Sequence, residues 1–360
     1  LEVHSRFGYD GAGRLQSITH SKAEIAAGQM WNGTSTLPSS LQNGNLLAGY
    51  YLAYDQDNRL TGWSSYADAF KTTYAYDNRD QVTGATHTTI AGHTLPRALP
   101  AAESYAFDGT GNRNLAGGSS SSADGSFNQV QNDGTYTYDY DAEGNQIRRT
   151  SIATGAVTEY EFDYRNRLVK VTERASAGGA ATKIVTFQYD AFDRRTGKQL
   201  DSDANGTIDR REAWVWDGQQ VVLQLVDADG AGTVAWKLTS RYLYGDIVDM
   251  VLADEQLPGG GIGLTSVSYT SGTTLWPLAD HLGSVRDLVD NNGRVREHVV
   301  YNTFGVRLSE SDWDANGNPI ASNNPAAVDH LFGYTGREWD SDIELQYNRA
   351  RWYDPEQGRW

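Results

Sequence analysis

One short unit recurs along this chain. An aromatic residue is followed by Asp, then by a polar stretch ending in Gly, Asn or Asp, usually with Arg behind it. The copies are Tyr9-Asp10…Gly13-Arg14-Leu15, Tyr54-Asp55…Asn58-Arg59-Leu60 and Tyr76-Asp77…Asp80-Gln81-Val82. They continue as Phe107-Asp108…Gly111-Asn112-Arg113, Tyr140-Asp141…Gly144-Asn145-Gln146, Phe162-Asp163…Asn166-Arg167-Leu168 and Tyr189-Asp190…Asp193-Arg194, with a degenerate Trp216-Asp217-Gly218. Asp-to-Asp steps are 45, 22, 31, 33, 22, 27 and 27 residues, so insertions separate copies of a common unit.

Each unit reads as strand, tight turn, strand. Aromatics alternate with smaller residues before the Asp, as in Tyr74-Ala75-Tyr76 and Tyr136-Thr137-Tyr138, which is the two-residue period of a half-buried strand. The Asp carboxylate can bond backbone N–H groups just ahead of it, and Gly or Asn three residues on tolerates a positive φ. The aliphatic residue then resumes the strand. Hairpins of this kind bury their aromatic faces on neighbours, so the expected fold is all-β, a spiralling sheet built by stacking one unit on the next. The repeat units are placed at 1–225, with a distinct motif block at 226–360 continuous with the same sheet. Arg is used 24 times and Lys 6, and the Arg closing each unit is expected to hold the Asp carboxylate or stack on an adjacent aromatic.

Composition removes several classes of function. There is no cysteine, hence no disulfide framework and no thiolate metal site. A net charge of −16 argues against a nucleic-acid partner, because the summed field repels phosphates. No run approaches the roughly eighteen apolar residues of a membrane-spanning helix, so no membrane span is expected. Leu1 begins mid-pattern and Trp360 closes a motif, so the chain is expected to be a piece of a longer polypeptide, and its targeting signal is not observable in this sequence.

The repeated Tyr-Asp-x-x-Gly/Asn-Arg-Leu unit resembles the YD repeats of bacterial Rhs and wall-associated proteins, of insecticidal Tc-toxin components and of animal teneurins. The block from 280 onward is similar to the Rhs core: Asp280-His281-Leu282-Gly283-Ser284-Val285-Arg286, Tyr301-Asn302-Thr303-Phe304-Gly305 and Phe332-Gly333-Tyr334-Thr335-Gly336-Arg337-Glu338, with Asn348-Arg349-Ala350-Arg351-Trp352-Tyr353-Asp354-Pro355 behind them. The resemblance implies that the sheet forms part of a hollow Rhs-like shell or barrel. It further implies a secreted or cell-surface scaffold that encapsulates or displays a C-terminal toxin or other polypeptide cargo. Family members that continue past the Asp-Pro motif often cleave themselves with a pair of aspartates. Asp354 matches that region and a downstream partner is absent from this sequence, so no catalytic residue is assigned and self-cleavage is not expected. A remnant of a self-cleaving shell and a carbohydrate-binding adhesion module, with a cell-surface glycan as partner, are the alternatives.

Residues 201–212 read Asp-Ser-Asp-Ala-Asn-Gly-Thr-Ile-Asp-Arg-Arg-Glu, the complete D-x-[DN]-x-[DN]-G-x₅-E calcium pattern. Asp201, Asp203 and Asn205 supply side-chain oxygens, Thr207 a backbone carbonyl, Asp209 a contact often made through water, and Glu212 a closing bidentate carboxylate. Hard oxygen donors favour Ca²⁺ as the bound ion. The flanks, Lys198-Gln199-Leu200 and Ala213-Trp214-Val215-Trp216, read as strands, so the loop is expected at a hairpin tip without paired helices, a setting in which Glu212 can be displaced. Asp227-x-Asp229-Gly230 and Asp312-x-Asp314-x-Asn316-Gly317 match only in part and read as solvated turns. His281 beside Asp280 reads as structural, and the stretches 117–126 and 259–261 as loops.

Overall fold

The computed structural model describes residues 2–26, 28–114, 129–230, 232, 236–247, 249–258, 261–264, 272–324 and 326–360. The loop reading of 117–126 and of Gly259 and Gly260 lies outside these residues. Among them there is no α-helix, only strands, turns and single-turn 3-10 segments, and no helix long and apolar enough to cross a membrane. The chain is all-β, as its alternating aromatics predict. It divides by contacts into two compact units, Leu1–Ala106 with Leu275–Gly336, and Phe107–Thr274 with Arg337–Trp360. This division follows packing, whereas the 225/226 boundary read from the sequence separates types of motif.

In the first unit, seven strands from His4–Tyr9 to Glu103–Ser104 pair antiparallel in strict chain order. The later strands Val285–Asp290, Val295–Tyr301 and Arg307–Trp313 also pair with their sequence neighbours. Its core gathers Ile18, Tyr50, Leu52, Trp63, Leu278 and Val289. In the second unit, consecutive antiparallel strands run from Tyr136–Tyr140 to Val251–Gln256. A separate three-stranded sheet has the order Glu338–Asp340, Leu345–Asn348, Arg351–Tyr353. Ile343 and Leu345 pack against Tyr160, Leu168, Val185 and Phe187, which joins the small sheet to the large one.

The recurring unit fixes the register. Tyr9 lies opposite Leu15, Tyr54 opposite Leu60, Tyr76 opposite Val82 and Phe162 opposite Leu168, each pair six residues apart and preceded by a bulge. Within the turn, Asp10 Oδ1 accepts the Ala12 and Arg14 amides, both at 2.9 Å, and Arg14 Nε donates to Asp10 Oδ2 at 2.7 Å. Gly13, three residues past the Asp, sits at φ 80°; Asn58 and Asn166 take the same left-handed conformation at 66° and 59°. Only residues that tolerate a positive φ fit there, hence the Gly/Asn preference. The same amide bonds recur at Asp280, Asp290, Asn302 and Asp314. The motif block from 280 therefore continues the repeat with different flanking residues. Asp314 belongs to one of these turns, which accounts for the partial calcium pattern around it.

Candidate functional site

The strand Arg195–Asp201 ends on the first residue of the calcium pattern, and the chain returns through Arg210–Asp217, with Leu200 opposite Arg210. The loop is thus a hairpin tip between strands. Asp201, Asp203 and Asp209 each offer a carboxylate oxygen, all within 4.8 Å of one another. Asp201 is buried, Asp203 exposed and Asp209 intermediate. Backbone amides shape the group: Asn205 N–H donates to Asp201 Oδ1 at 3.1 Å and Gly206 N–H to Oδ2 at 2.9 Å. Ser202 donates from both its amide and its hydroxyl to Asp209 Oδ2, which holds that carboxyl below its usual range.

The remaining positions of the pattern are placed differently. Asn205 Oδ1 accepts the Thr207 amide at 2.7 Å, and Asn205 Nδ2 donates to Asp203. Glu212 does not join the three carboxylates. It lies opposite Lys198 in the strand register and contacts Lys198 Nζ at 3.7 Å and Arg210 Nη2 at 3.0 Å. Strand flanks account for this: the ladder sets the twelfth position beside the residue opposite it, Lys198, on one face of the sheet.

Two other acids weighed in the sequence have structural duties. Asp354 accepts the Glu356 and Gln357 amides at 2.9 and 3.2 Å and the Gln357 side-chain amide at 2.9 Å. Asp280 takes the Leu282 and Ser284 amides and the Arg286 guanidinium, while its neighbour His281 packs on Trp63 at 5.5 Å. Burial lowers the His281 pKa, and its Nδ1 has no partner. No base–orienter pair forms there.

Two buried charge clusters were not anticipated. In the first unit, His298 lies between two carboxylates, with Nδ1 2.6 Å from Asp287 and Nε2 2.9 Å from Asp68. In the second, Arg195 is 1% exposed and donates to Glu338 at 2.7 Å and Asp340 at 3.1 Å. Trp214, Tyr347 and Trp352 surround its guanidinium at 4.0, 4.8 and 5.1 Å. The signal was present: Arg195 fills the slot opposite the repeat aromatic, which Leu15, Leu60 and Leu168 fill elsewhere. A charge in an apolar slot needs a built partner.

Comparison with known proteins fits this geometry. Residues 41–207 match the teneurin YD-shell family. The tRNA3(Ser)-specific nuclease WapA of Bacillus spizizenii is 28% identical over 265 residues, covering 71% of this chain and 9% of that protein. The toxin protein Tse5 of Pseudomonas aeruginosa is 26% identical over 251 residues, covering 65% of this chain and 17% of Tse5. The chain thus spans a small fraction of the length of the curated relatives it matches. Among solved structures, the Photorhabdus luminescens Tc holotoxin pore aligns with 99% of this chain and 19% of its own, at a TM-score of 0.48 and 17% identity. In its repeated turns and its relatives the chain is similar to the YD-repeat proteins, among them the teneurin YD shell, which residues 41–207 match, and the Rhs proteins.

Proposed function

We propose that this protein is a non-catalytic, secreted or surface scaffold that encloses or displays a polypeptide cargo such as a toxin. The observation that carries the reading is the use of the repeat's own polar groups. Its Asp carboxylates are consumed by turn amides and its Arg guanidiniums by those carboxylates, as at Asp10, Asp55, Asp163 and Asp190. Such side chains build wall and leave no reactive group. Relatives named as toxins and nucleases are far longer than this chain, which accords with a wall segment serving an activity located elsewhere in them.

A structural Ca²⁺ at the 201–209 loop completes the proposal. Asp201, Asp203 and Asp209 would hold the ion; Asn205 and Thr207 are the neighbouring oxygen donors, and Glu212 stays with Lys198 and Arg210. The donor set is all oxygen and mostly anionic, which suits a hard cation. The ion would cancel repulsion among three close carboxylates and pin the hairpin tip.

The scaffold reading is tested by fusing a protease-sensitive reporter polypeptide behind Trp360 and following its digestion. The reporter should resist protease at concentrations that destroy it when free, and become sensitive once the YD-repeat part is denatured. Equal digestion rates for fused and free reporter would reject the reading.

A further inference from the structure

The second unit contains a half-open cleft of about 570 Å³ that none of the roles above uses. Its lining includes Asn145 and Asn166 of the repeat turns, the strand residue Gln146, and Arg351, Trp352 and Trp360 of the C-terminal stretch. We infer that this cleft binds an extended acidic polypeptide segment, which adds as a strand beside Arg351–Tyr353. The inference deepens the scaffold reading and rests on it, since it assigns a place where polypeptide cargo is held.

Three observations converge on a peptide. First, among the described residues Arg351–Tyr353 is an edge strand of its sheet, paired with Leu345–Asn348 through Asn348–Arg351, Tyr347–Trp352 and Gln346–Tyr353. In an antiparallel edge strand alternate residues turn their N–H and C=O away from the partner strand, and an extended peptide entering the cleft can pair with them. A saccharide has no matching periodicity. Second, the local charge opposes that of the whole chain. Arg351 is exposed and has no hydrogen-bond or ion-pair partner among the described residues. Arg349, which also lines the cleft, already holds Asp249 at 2.8 Å. The acids at the cleft are Glu143, which is exposed, and Asp354, whose oxygens are occupied by amides. In a chain of −16, an exposed, unpaired guanidinium lining a cleft favours an acidic guest. Third, Tyr140, Phe162, Tyr189 and Trp352 give the cleft half-buried aromatic surface, and Trp360 at 64% exposure stands beside it. Alternate side chains of a strand point to opposite faces, so one set can rest on the aromatics while the other carries the charge.

The test uses the full chain and a fluorescein-labelled octapeptide alternating glutamate and valine, followed by fluorescence anisotropy. The acidic peptide should bind, and its lysine–valine counterpart about tenfold or more weakly, a difference of about 1.4 kcal/mol. Methylating alternate peptide nitrogens should abolish binding, because it removes the strand donors. Arg351→Glu should reverse the preference between the two peptides and Arg351→Gln should erase it, both at unchanged melting temperature. Binding that is indifferent to Arg351→Glu and Arg351→Gln, or to peptide methylation, would overturn the inference. So would tighter binding of an oligogalacturonate than of the acidic peptide. Absence of peptide binding with a fused reporter still protected removes the cleft and leaves the scaffold standing. Loss of protection with Arg351-dependent peptide binding intact removes the scaffold and leaves the cleft as a peptide site.

Discussion

The Tyr189 hydroxyl donates to the Leu168 carbonyl at 2.7 Å, while Arg167, one residue before Leu168, lies over the Tyr189 ring at 5.0 Å. One aromatic of one repeat thus grips the preceding repeat by its backbone and is covered by its guanidinium. Tyr54 does the same to Leu15 and Arg14, and Tyr76 to Leu60 and Arg59. The turn arginine stacks on the following repeat's aromatic, which couples neighbours beyond the sheet hydrogen bonds. Arg167 also donates to Asp193 at 2.9 Å in that following turn. Stability in such an array is dominated by nearest-neighbour terms.

Tyr189→Phe keeps the ring and its cation contact but removes the bond to the Leu168 carbonyl and the longer one accepted from Trp352 Nε1 at 3.3 Å, so a loss of about 1–2 kcal/mol is expected. Tyr189→Ala removes the ring as well and should cost about 3 kcal/mol or more, the range of large-to-small core changes. Urea denaturation of both variants checks the order. Equal losses would mean that the ring contributes nothing beyond its hydroxyl.

Chelation tests the loop at 201–209. EDTA should lower the melting temperature and Ca²⁺ restore it, while Mg²⁺, which demands tighter octahedral geometry, should restore it less. Asp201→Ala combined with Asp203→Ala should remove the response to either treatment. Glu212→Gln should leave the response in place, because that carboxylate serves Lys198 and Arg210. An EDTA effect that survives the double substitution would place any ion elsewhere.

The fold was legible because one period writes itself many times. Aromatic, Asp and Gly or Asn each answer a local demand of the turn, so no knowledge of distant residues is needed. The turns at Asp290 and Asp314 were harder to see: Asp290 follows Val289, and Asp314 sits inside an apparent calcium pattern. The Asp201, Asp203 and Asp209 cluster is likewise local and was readable. The displacement of Glu212 was readable from its strand flanks, but its partner was not, since Lys198 is set by strand register. His298 with Asp68, and Arg195 with Glu338, join residues more than a hundred positions apart, and spacing carries no information about such pairs.

The charge cluster of the first unit makes stability depend on pH. Burial alone would lower the His298 pKa, but Asp287 and Asp68 outweigh it and raise it from 6.5 to about 9. Burial, with Glu310, Asp312 and Asp329 nearby and Arg307 opposing, raises Glu297 from 4.5 to about 8. Both folded-state values lie above the unfolded ones, so both contributions are complete at low pH and fade as pH rises. The windows are 4.5 to about 8 for Glu297 and 6.5 to about 9 for His298. Calorimetry across this range should show the first unit's melting temperature falling, most steeply where the windows overlap. Glu297→Gln should flatten the lower part of the curve and His298→Gln the upper. A flat wild-type profile would sink the assignment.

Arg195 offers the sharpest test of what holds the C-terminal strands. Its guanidinium binds Glu338 and Asp340, and Lys198 donates to the same Asp340 at 2.6 Å and contacts Asp342 at 2.5 Å. Burial would raise the Asp340 pKa, but Lys198 and Arg195 outweigh it and hold the carboxyl below its usual range. Arg195→Met keeps apolar bulk among Trp214, Tyr347 and Trp352 and leaves Glu338 buried without its cation. Breaking a buried pair from one side costs about 3–5 kcal/mol, whereas replacing both partners is often near neutral. Arg195→Met should therefore be strongly destabilising, and Arg195→Met with Glu338→Gln should recover much of the loss. Limited proteolysis should cut first within 338–353 in the single variant, because those strands lose their anchor. The edge strand Arg351–Tyr353 belongs to the same small sheet, so peptide binding at the cleft should fall with the single substitution and return with the double. A single variant as stable as the parent would show that aromatic packing alone seats these strands.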